Sequence, residues 1–354
     1  MKRAVFYGNE VIEIEESPEP IVKARDVKVK IAYCAICGSE GNLFSKPLFT
    51  NHLPHPLIGK KGPFSLGHEC SGIVTEIGKD VDRVSVGDKV AIQPIISCGT
   101  CDFCRKGLGN LCEEGYALLG SATDGGMSEY ISLPEENVYS IPEDMTLENA
   151  SLVQCGAVSF GAVMDSGIKM GDTALVIGAG TIGLMTAQGL EVAGARRILV
   201  ADLFEPKLIL AKTLGATDII NVKKEDLYTV VMDLTKGKGV DFVFECAGVE
   251  ETVATALKCV RKQGTIMITS AFYNHVPLPG IPFLLSSATI KTTISPFVGR
   301  YDYMIELAYH RKMTPQTLIT KYVDLDHTLE GFLALKNDPS QIKVMIEVDP
   351  SLEN

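Results

Sequence analysis

The stretch that decides the fold runs from Thr173 to Asp202, TALVIGAGTIGLMTAQGLEVAGARRILVAD. It opens with a short apolar run of β-favouring residues, 174–177, and continues into a glycine turn, 178–183. Helix-favouring, mostly apolar residues follow, and a second β-branched run, 198–200, leads to Asp202. The pattern predicts a strand, a tight turn, a helix and a second strand, which together form one βαβ unit of a parallel sheet.

The glycine turn has the spacing of a dinucleotide-binding fingerprint, in the strand–turn–helix context that this fingerprint requires. Gly178 permits the tight turn, Gly180 lets the backbone approach a pyrophosphate, and Gly183 lets the helix pack closely on the strand. The helix N-terminus at Thr181 and Ile182 adds N–H groups and a positive dipole end for the phosphates. A glycine turn in an unrelated α/β protein is the alternative, and the flanking elements argue against it.

Asp202 ends the second strand and selects the cofactor. Its carboxylate can accept hydrogen bonds from a ribose diol, whereas a 2′-phosphate at that place would meet its negative charge. The next two residues, Leu203 and Phe204, supply no arginine to reverse this preference. The sequence therefore predicts NAD rather than NADP.

Composition excludes several classes of partner. The 354 residues are enough for two domains, and the net charge of −11 offers no basic surplus for nucleic acid or anionic membranes. The N-terminal residues lack the apolar core of a signal peptide, and no apolar run is long enough to span a bilayer. Ten cysteines without a secretion signal favour metal binding over disulfides, so we expect a cytoplasmic protein.

The chain changes character near residue 150. Before it, patterns such as the alternation in 27–31 predict half-buried strands, and after it strands alternate with helices. A dinucleotide domain inserted late in a β-rich domain leaves the C-terminal tail free to return to the first domain, and a cleft between two domains is a natural ligand site. The predicted division is 1–152 for the first domain, 153–294 for the dinucleotide domain and 295–354 for the return.

Four cysteines, Cys98, Cys101, Cys104 and Cys112, form the pattern C-x2-C-x2-C-x7-C. Four thiolates on a short glycine-bearing loop can enclose Zn²⁺ in a tetrahedron, and such a filled site is structural because it has no open position for substrate. An iron–sulfur cluster is the main alternative, since its cysteine patterns look similar.

A second candidate metal site combines Cys37, with Ser39 close by, and the pair His68-Glu69. A thiolate, an imidazole and a carboxylate from separate segments can hold Zn²⁺ with one position open, and such zinc polarises an alcohol or carbonyl oxygen. Beside a nicotinamide, that chemistry is hydride transfer. A structural histidine and a Cys34-x-x-Cys37 redox pair are the alternatives.

Several of these motifs occur together in one known family. Gly67-His68-Glu69, the four-cysteine loop, the stretch from Asp124 to Tyr130 and GAGTIG at 178–183 resemble the zinc-dependent medium-chain dehydrogenase/reductase superfamily across nearly the whole chain. Within it, HPLIGKKGPFSLGHE at 55–69 resembles the 2,3-butanediol dehydrogenases, and the general layout resembles sorbitol and sugar-alcohol-phosphate dehydrogenases.

The resemblance implies an α/β protein in which a GroES-like, β-rich catalytic domain, with a structural-zinc lobe at about 94–116, is split by a Rossmann domain. It also implies homotetramers, with dimers as the other possibility. It assigns roles residue by residue: Cys37, His68 and Glu69 around a catalytic zinc, Ser39 as proton relay, Cys98, Cys101, Cys104 and Cys112 on a structural zinc, and Asp202 and Lys207 on the cofactor.

Three departures from the family pattern affect the site. Gln154 stands where polyol and butanediol dehydrogenases have a glutamate near the zinc, and Cys155 beside it resembles the cysteine ligand of alcohol dehydrogenases, so either side chain can face the metal. Glu40 replaces an aspartate that supports the histidine ligand. Asn42 replaces a relay histidine, and an amide cannot shuttle protons as imidazole does.

The leading hypothesis is a zinc-dependent dehydrogenase that transfers hydride between NAD and a secondary alcohol of a diol, polyol or polyol phosphate. The alternative is a non-catalytic NAD-binding protein that has lost its catalytic zinc, which Gln154 and Asn42 would explain. A zinc-free quinone or enone reductase is a third hypothesis, and the retained metal ligands argue against it. Weaker candidates for ligand contact are His52 and His55 for the substrate, Arg300 for a hydroxyl or phosphate, and Asn274 and His275 near the cofactor, with exposed surface roles as the alternative for the first three.

Overall fold

The computed structural model describes residues 1–47, 54–272, 275–276, 278–294 and 300–353. His52 and Asn274 lie outside the described residues. The chain divides into two compact units, Met1–Ala157 together with Ser295–Asn354, and Val158–Ile294. The domain boundaries predicted from the sequence stay a prediction, because compactness alone does not show which segments fold independently.

Seventeen strands and eleven helices are formed by the described residues. The strands are β1 Lys2–Gly8, β2 Val11–Glu16, β3 Asp26–Ala35, β4 Glu69–Ile77, β5 Lys89–Ile92, β6 Ile95–Ile96, β7 Ala117–Leu118, β8 Tyr130–Pro134, β9 Val138–Ser140, β10 Thr173–Ile177, β11 Arg197–Asp202, β12 Asp218–Asn221, β13 Val240–Glu245, β14 Val260–Ile268, β15 Thr289–Thr292, β16 Ile319–Asp324 and β17 Lys343–Glu347. The helices are α1 Gly38–Phe44, α2 Asp102–Arg105, α3 Leu147–Ser151, α4 Val153–Ser166, α5 Thr181–Val192, α6 Glu205–Thr213, α7 Leu227–Leu234, α8 Glu250–Cys259, α9 Gly280–Ser286, α10 Tyr301–Tyr309 and α11 Thr328–Asn337.

The first unit is built on a seven-stranded sheet with the order β16-β17-β3-β4-β5-β9, in which β8 also pairs with β3. Val27, Val29 and Ile31 are fully buried on β3, which confirms the predicted alternation. The core continues under the helices, where Phe44 of α1 packs against Phe332 of α11 with ring centroids 5.1 Å apart. Strand β3 is therefore the rigid centre of this unit.

The register of this sheet brings distant parts of the chain to one place. Ala35, at the end of β3, pairs with Glu69 at the start of β4 and with Met345 of β17 on its other edge. Both pairings are antiparallel, so Cys37, the second residue after β3, comes close to the start of β4. This edge of the sheet positions the metal-ligating candidates.

The second unit is a six-stranded parallel sheet with the order β12-β11-β10-β13-β14-β15. This is the doubly wound dinucleotide-binding order, and it confirms the Rossmann part of the predicted fold class. Every residue of β10 is buried, as expected for a central parallel strand covered on both faces. The glycine turn follows β10 directly, where the strand order reverses and ligands of such sheets bind.

No helix among the described residues is long and apolar enough to cross a membrane.

Candidate active site

Cys37, His68 and Glu69 come together in the first unit, with one ligand atom from each within 4.8 Å of the others. His68 and Glu69 are buried, and Cys37 is partly exposed. Donors bound to one zinc ion at about 2.0–2.3 Å lie at most roughly 4.6 Å apart, so a small movement of these side chains would let this sulfur, nitrogen and oxygen set hold Zn²⁺. The trio accounts for three positions of a tetrahedron and leaves room for a further ligand.

Glu40 ties the two ligand-bearing segments together. Its Oε2 accepts a hydrogen bond from the Cys37 backbone N–H at 3.0 Å, and its Oε1 accepts one from the Gly67 N–H at 2.8 Å. The first of these bonds caps the N-terminus of α1. The glutamate in place of the family's aspartate therefore holds both segments at once.

The same carboxylate orients the imidazole. Glu40 Oε1 lies 3.3 Å from His68 Nδ1, which leaves Nε2 of His68 as the nitrogen for a metal. Burial disfavours charge on both groups, yet their mutual attraction lowers the pKa of Glu40 and raises the pKa of His68 well above its ordinary value. Glu40 thus remains an anionic support for His68.

Lys343 belongs to the candidate site and was missed by the sequence patterns. Its Nζ donates to Glu69 Oε2 at 2.7 Å and to the Ile36 carbonyl at 3.1 Å, and both charged side chains are 1% exposed. The Coulombic attraction of Glu69 outweighs the burial of Lys343 and raises the pKa of the lysine. One oxygen of Glu69 is therefore held by a permanent cation, and the other is left for a metal.

Ser39 and Asn42 both belong to α1. The Ser39 hydroxyl donates to Cys37 Sγ at 3.2 Å, so it lies directly beside the metal-ligating trio. Asn42 lies three residues further along the same helix and is exposed. The structure thus brings the predicted relay hydroxyl to the site.

Gln154 and Cys155 differ in how they face the trio. Cys155 lies outside the group of ligand atoms, and its thiol donates to the Leu152 carbonyl of its own helical segment at 3.1 Å. Burial, reinforced by the negative charge of Glu69, raises the pKa of Cys155 and keeps the thiol protonated. Gln154, which is 5% exposed, points in a different direction because successive helical residues are about 100° apart.

The four cysteines at 98–112 form a second cluster, with their sulfurs within 4.8 Å of one another. Cys98 Sγ and Cys104 Sγ are 3.8 Å apart, the separation of about 3.8 Å expected for two thiolates on one tetrahedral zinc. Hydrogen bonds from Thr100 and from the Cys101 N–H lower the pKa of Cys98 to about 6, which favours its thiolate. Four cysteines on an iron–sulfur cluster are divided among two or more irons, so four sulfurs this close together favour a single ion.

The glycine turn in the second unit has the geometry that a pyrophosphate requires. Gly178 has a positive φ of 98°, and a Cβ on Gly183 would lie 1.8 Å from the Gly178 carbonyl oxygen. A Cβ on Gly180 would meet no described heavy atom within 4 Å, so the space beside it is open. Thr181 and Ile182 begin α5 immediately afterwards. These residues fit a dinucleotide.

Asp202 connects this turn to the loop that follows β11. Its Oδ2 accepts from the Ala179 N–H at 2.7 Å, and its Oδ1 accepts from the Phe204 N–H at 2.9 Å. Two ammonium groups lie over the Phe204 ring, Lys207 at 5.5 Å and Lys223 at 4.5 Å from its centroid. Lys223 was not predicted, because it follows a different strand, β12. A carboxylate and two lysines therefore lie near the loop that follows β11.

Comparisons with known proteins agree with this geometry. Residues 23–143 match the alcohol dehydrogenase GroES-like domain, and residues 181–309 match the zinc-binding dehydrogenase family. The chain is 31% identical to sorbitol dehydrogenase of Bacillus subtilis, over 98% of this chain and 97% of that protein. It is 32% identical to (R,R)-butanediol dehydrogenase of the same organism, over 98% and 99%.

Solved structures give the same result. The crystal structure of the 2R,3R-butanediol dehydrogenase from Bacillus subtilis matches with a TM-score of 0.90 at 32% identity, covering 98% of this chain and 99% of that one. An alcohol dehydrogenase from Escherichia coli CFT073, solved with NADH, matches with a TM-score of 0.88 at 26% identity, covering 98% and 99%. With its doubly wound sheet and two groups of side chains that could each hold a metal ion, the chain belongs to the zinc-binding alcohol dehydrogenase family.

Proposed function

We propose that this protein oxidises a secondary alcohol of a small diol, polyol or polyol phosphate to a ketone, with NAD⁺ as hydride acceptor, and catalyses the reverse reduction. The observation that carries the proposal is the grouping of Cys37, His68 and Glu69 beside the Ser39 hydroxyl. The relatives named above, a sorbitol and a butanediol dehydrogenase, support this substrate class.

The trio would hold a catalytic zinc, which as a Lewis acid favours the alkoxide form of the bound alcohol while NAD⁺ accepts the hydride. We assign Gln154 rather than Cys155 to the fourth ligand position of the zinc. The Cys155 thiol is protonated and donates a hydrogen bond to the Leu152 carbonyl, so it is not available as a thiolate ligand. Cys98, Cys101, Cys104 and Cys112 would hold a structural zinc.

Ser39 would accept the hydroxyl proton of the substrate, since its own hydroxyl is adjacent to the trio. The next group in the family's relay is absent, because Asn42 has no titratable nitrogen. We propose that the proton passes from Ser39 to solvent or to the cofactor ribose. Proton release should then depend less on pH near neutrality than in a relative with a histidine at this position.

The cofactor would bind along Gly178, Gly180, Thr181, Ile182 and Gly183. Asp202 would accept hydrogen bonds from the adenosine ribose and disfavour a 2′-phosphate, while Lys207 would contact the ribose from α6. Lys223 places a second cation nearby, so discrimination against NADP rests on the single carboxylate of Asp202.

We further propose that the protein is a homotetramer, or alternatively a dimer. Ile281, Leu284 and Leu285 on α9 are 67%, 71% and 68% exposed, and β15, which follows α9, is the last strand of its sheet. An apolar helix beside an open strand edge is suited to pairing with a second copy. A cytoplasmic location belongs to the same proposal, since all ten cysteines are free thiols.

The non-catalytic alternative rested on Gln154 and Asn42. It requires loss of the catalytic metal, whereas the three side chains that would hold this metal lie within 4.8 Å of one another. The relatives are named for catalytic activities. We therefore place the dehydrogenase first.

The deciding experiment compares Cys37→Ser with a matched control, Cys259→Ser, which removes a buried thiol in the second unit. Native mass spectrometry should count two zinc ions per chain in the wild type and in the control. In Cys37→Ser it should count one, with turnover lost and NAD⁺ binding by calorimetry retained. Turnover that survives in a one-zinc Cys37→Ser protein would reject the proposed role of the trio.

A further inference from the structure

A small cavity lies beside the Ser39 hydroxyl and His68 in the first unit. Its free volume is about 40 Å³, well below that of a pocket that takes a whole drug-sized ligand, so it has room for a small substituent only. Its lining residues are Phe6, Ser39, Glu40, Leu43, Leu66, His68, Leu118, Leu119, Gly120 and Ser121. Because it adjoins the proposed reacting groups, it is the space into which the rest of a substrate molecule would extend.

Half of the lining residues are apolar. This apolar wall consists of Phe6, Leu43, Leu66, Leu118 and Leu119. Phe6, Leu66 and Leu119 are buried side chains of the core, so they cannot swing aside to expose polar groups behind them. The cavity therefore presents a fixed hydrocarbon surface.

The polar lining residues already have partners. Glu40 accepts from two backbone N–H groups and lies against His68, and the Ser121 hydroxyl donates to the Leu118 carbonyl at 3.3 Å. Ser39 and His68 belong to the reacting end. No lysine or arginine is among the described residues that line this space. A distal hydroxyl of the substrate that reaches the apolar wall would thus lose its water without gaining a partner there, and a phosphate would find no cation among these lining residues.

We propose that the enzyme selects short vicinal diols whose remaining substituents are small alkyl groups, in preference to pentitols, hexitols and their phosphates. This inference rests on the proposed function and narrows its substrate class. An apolar pocket rejects an added hydroxyl by about 10- to 100-fold, so a preference of that size is expected in kcat/KM.

Leu43 and Leu118 are the specificity-determining residues to vary, because both line the cavity and are only partly buried. Leu118→Asn would offer a hydrogen-bonding partner to a distal hydroxyl, and Leu43→Asn would do so from α1. Val86→Asn is the control, since Val86 is 60% exposed and does not line the cavity. Two independent positions keep the test valid if one variant fails to fold.

The experiment measures kcat/KM for NAD⁺ reduction by the zinc-loaded wild type with the three 2,3-butanediol stereoisomers, xylitol, sorbitol and sorbitol 6-phosphate. At least one butanediol should exceed every polyol and the phosphate by about 10-fold or more. The ratio to follow is kcat/KM for the best butanediol divided by kcat/KM for the best polyol. Leu118→Asn and Leu43→Asn should each reduce this ratio severalfold, and Val86→Asn should leave it unchanged.

A polyol or the phosphate oxidised as efficiently as the best butanediol would overturn the inference while leaving the proposed function intact. If ratios in both cavity variants equal the wild-type ratio, the assignment of this cavity to the substrate is overturned. If a protein with two zinc ions and bound NAD⁺ oxidises none of these alcohols, the proposed function itself fails, and the inference fails with it.

Discussion

Replacement of Lys343 by methionine should strongly destabilise the first unit. The lysine ammonium is the hydrogen-bonded cation beside Glu69, with both side chains 1% exposed, and it also satisfies the Ile36 carbonyl. Methionine has a similar length but no charge and no donor. The variant therefore leaves a buried carboxylate and a buried carbonyl without their partner.

Removal of one member of a buried ion pair costs about 3–5 kcal/mol, because the remaining charge is uncompensated. That corresponds to a loss of roughly 10²- to 5 × 10³-fold in the folding equilibrium constant. The loss should be smaller with zinc bound, since Glu69 is also a proposed ligand and the ion supplies positive charge. The full penalty should appear only in protein treated with a chelator.

Urea unfolding, followed by circular dichroism and by tyrosine fluorescence, measures this difference in the chelated and the zinc-loaded protein. Tyrosine is the useful fluorophore because the chain has 11 tyrosines and no tryptophan. Lys2→Met is the control, since the pair Lys2–Asp326 is 2.8 Å long but its side chains are 43% and 51% exposed. This control should unfold at the wild-type urea concentration.

A double variant, Lys343→Met with Glu69→Gln, tests the assigned cause. It removes the uncompensated charge, so its unfolding free energy should be higher than the sum of the two single losses predicts. If chelated Lys343→Met unfolds at the wild-type urea concentration, or if the two losses simply add, the pair is not the buried charge-compensating contact described above.

Three further predictions follow from the site and the surface. Asp202→Ser should raise kcat/KM with NADP⁺ relative to NAD⁺ by at least about 10-fold, because it removes the one repulsive charge, and an unchanged ratio would argue against its role in selection. Cys155→Ser should retain two zinc ions by native mass spectrometry, whereas Gln154→Ala should lower zinc occupancy; the reverse outcome would assign the fourth side of the site to Cys155. The hydrogen bond and charge of Asp324 raise the pKa of His327 above 6.5, so this pair should stabilise the fold below that pH and cease to do so as pH rises through the raised pKa. NMR titration should give a lower His327 pKa in Asp324→Asn, and an unshifted pKa would contradict the pairing.

The dinucleotide fold could be predicted from sequence because its signals are local. The run from Thr173 to Asp202 contains a buried strand, a glycine turn and a helix within 30 consecutive residues, and each part appears as predicted. The four-cysteine loop is similar, since all of its sulfurs come from one short segment. The structure of such a segment can be predicted because it depends on residues that are close together in the sequence.

Other parts depend on long-range pairing and could not be predicted. Lys343 is the first residue of a strand, and no neighbouring residue in the sequence indicates that its ion-pair partner is Glu69. Lys223 joins the surroundings of Phe204 only because β12 pairs in parallel with β11. The short strand β15 was also missed, because its four residues, TIKT, are mostly exposed and give no alternation to detect.

The choice between Gln154 and Cys155 shows that the direction of a side chain is also hard to predict from sequence. The two residues are adjacent, so sequence reasoning placed both near the metal and left their directions open. The distinguishing observation is the bond of the Cys155 thiol to the Leu152 carbonyl, which depends on the rotation of a helix. Side-chain direction at such a position follows from packing rather than from residue type.

The pairing of β17 with β3 has a consequence for how the protein is made. Lys343 is synthesised 274 residues after Glu69, which at about 5–20 residues per second is a delay on the order of 10 to 60 seconds. During that time the part of β3 that leads to Cys37 lacks its β17 neighbour, and the buried carboxylate lacks its cation. The nascent chain therefore carries an open strand edge and an incomplete candidate metal site until the last strand is added.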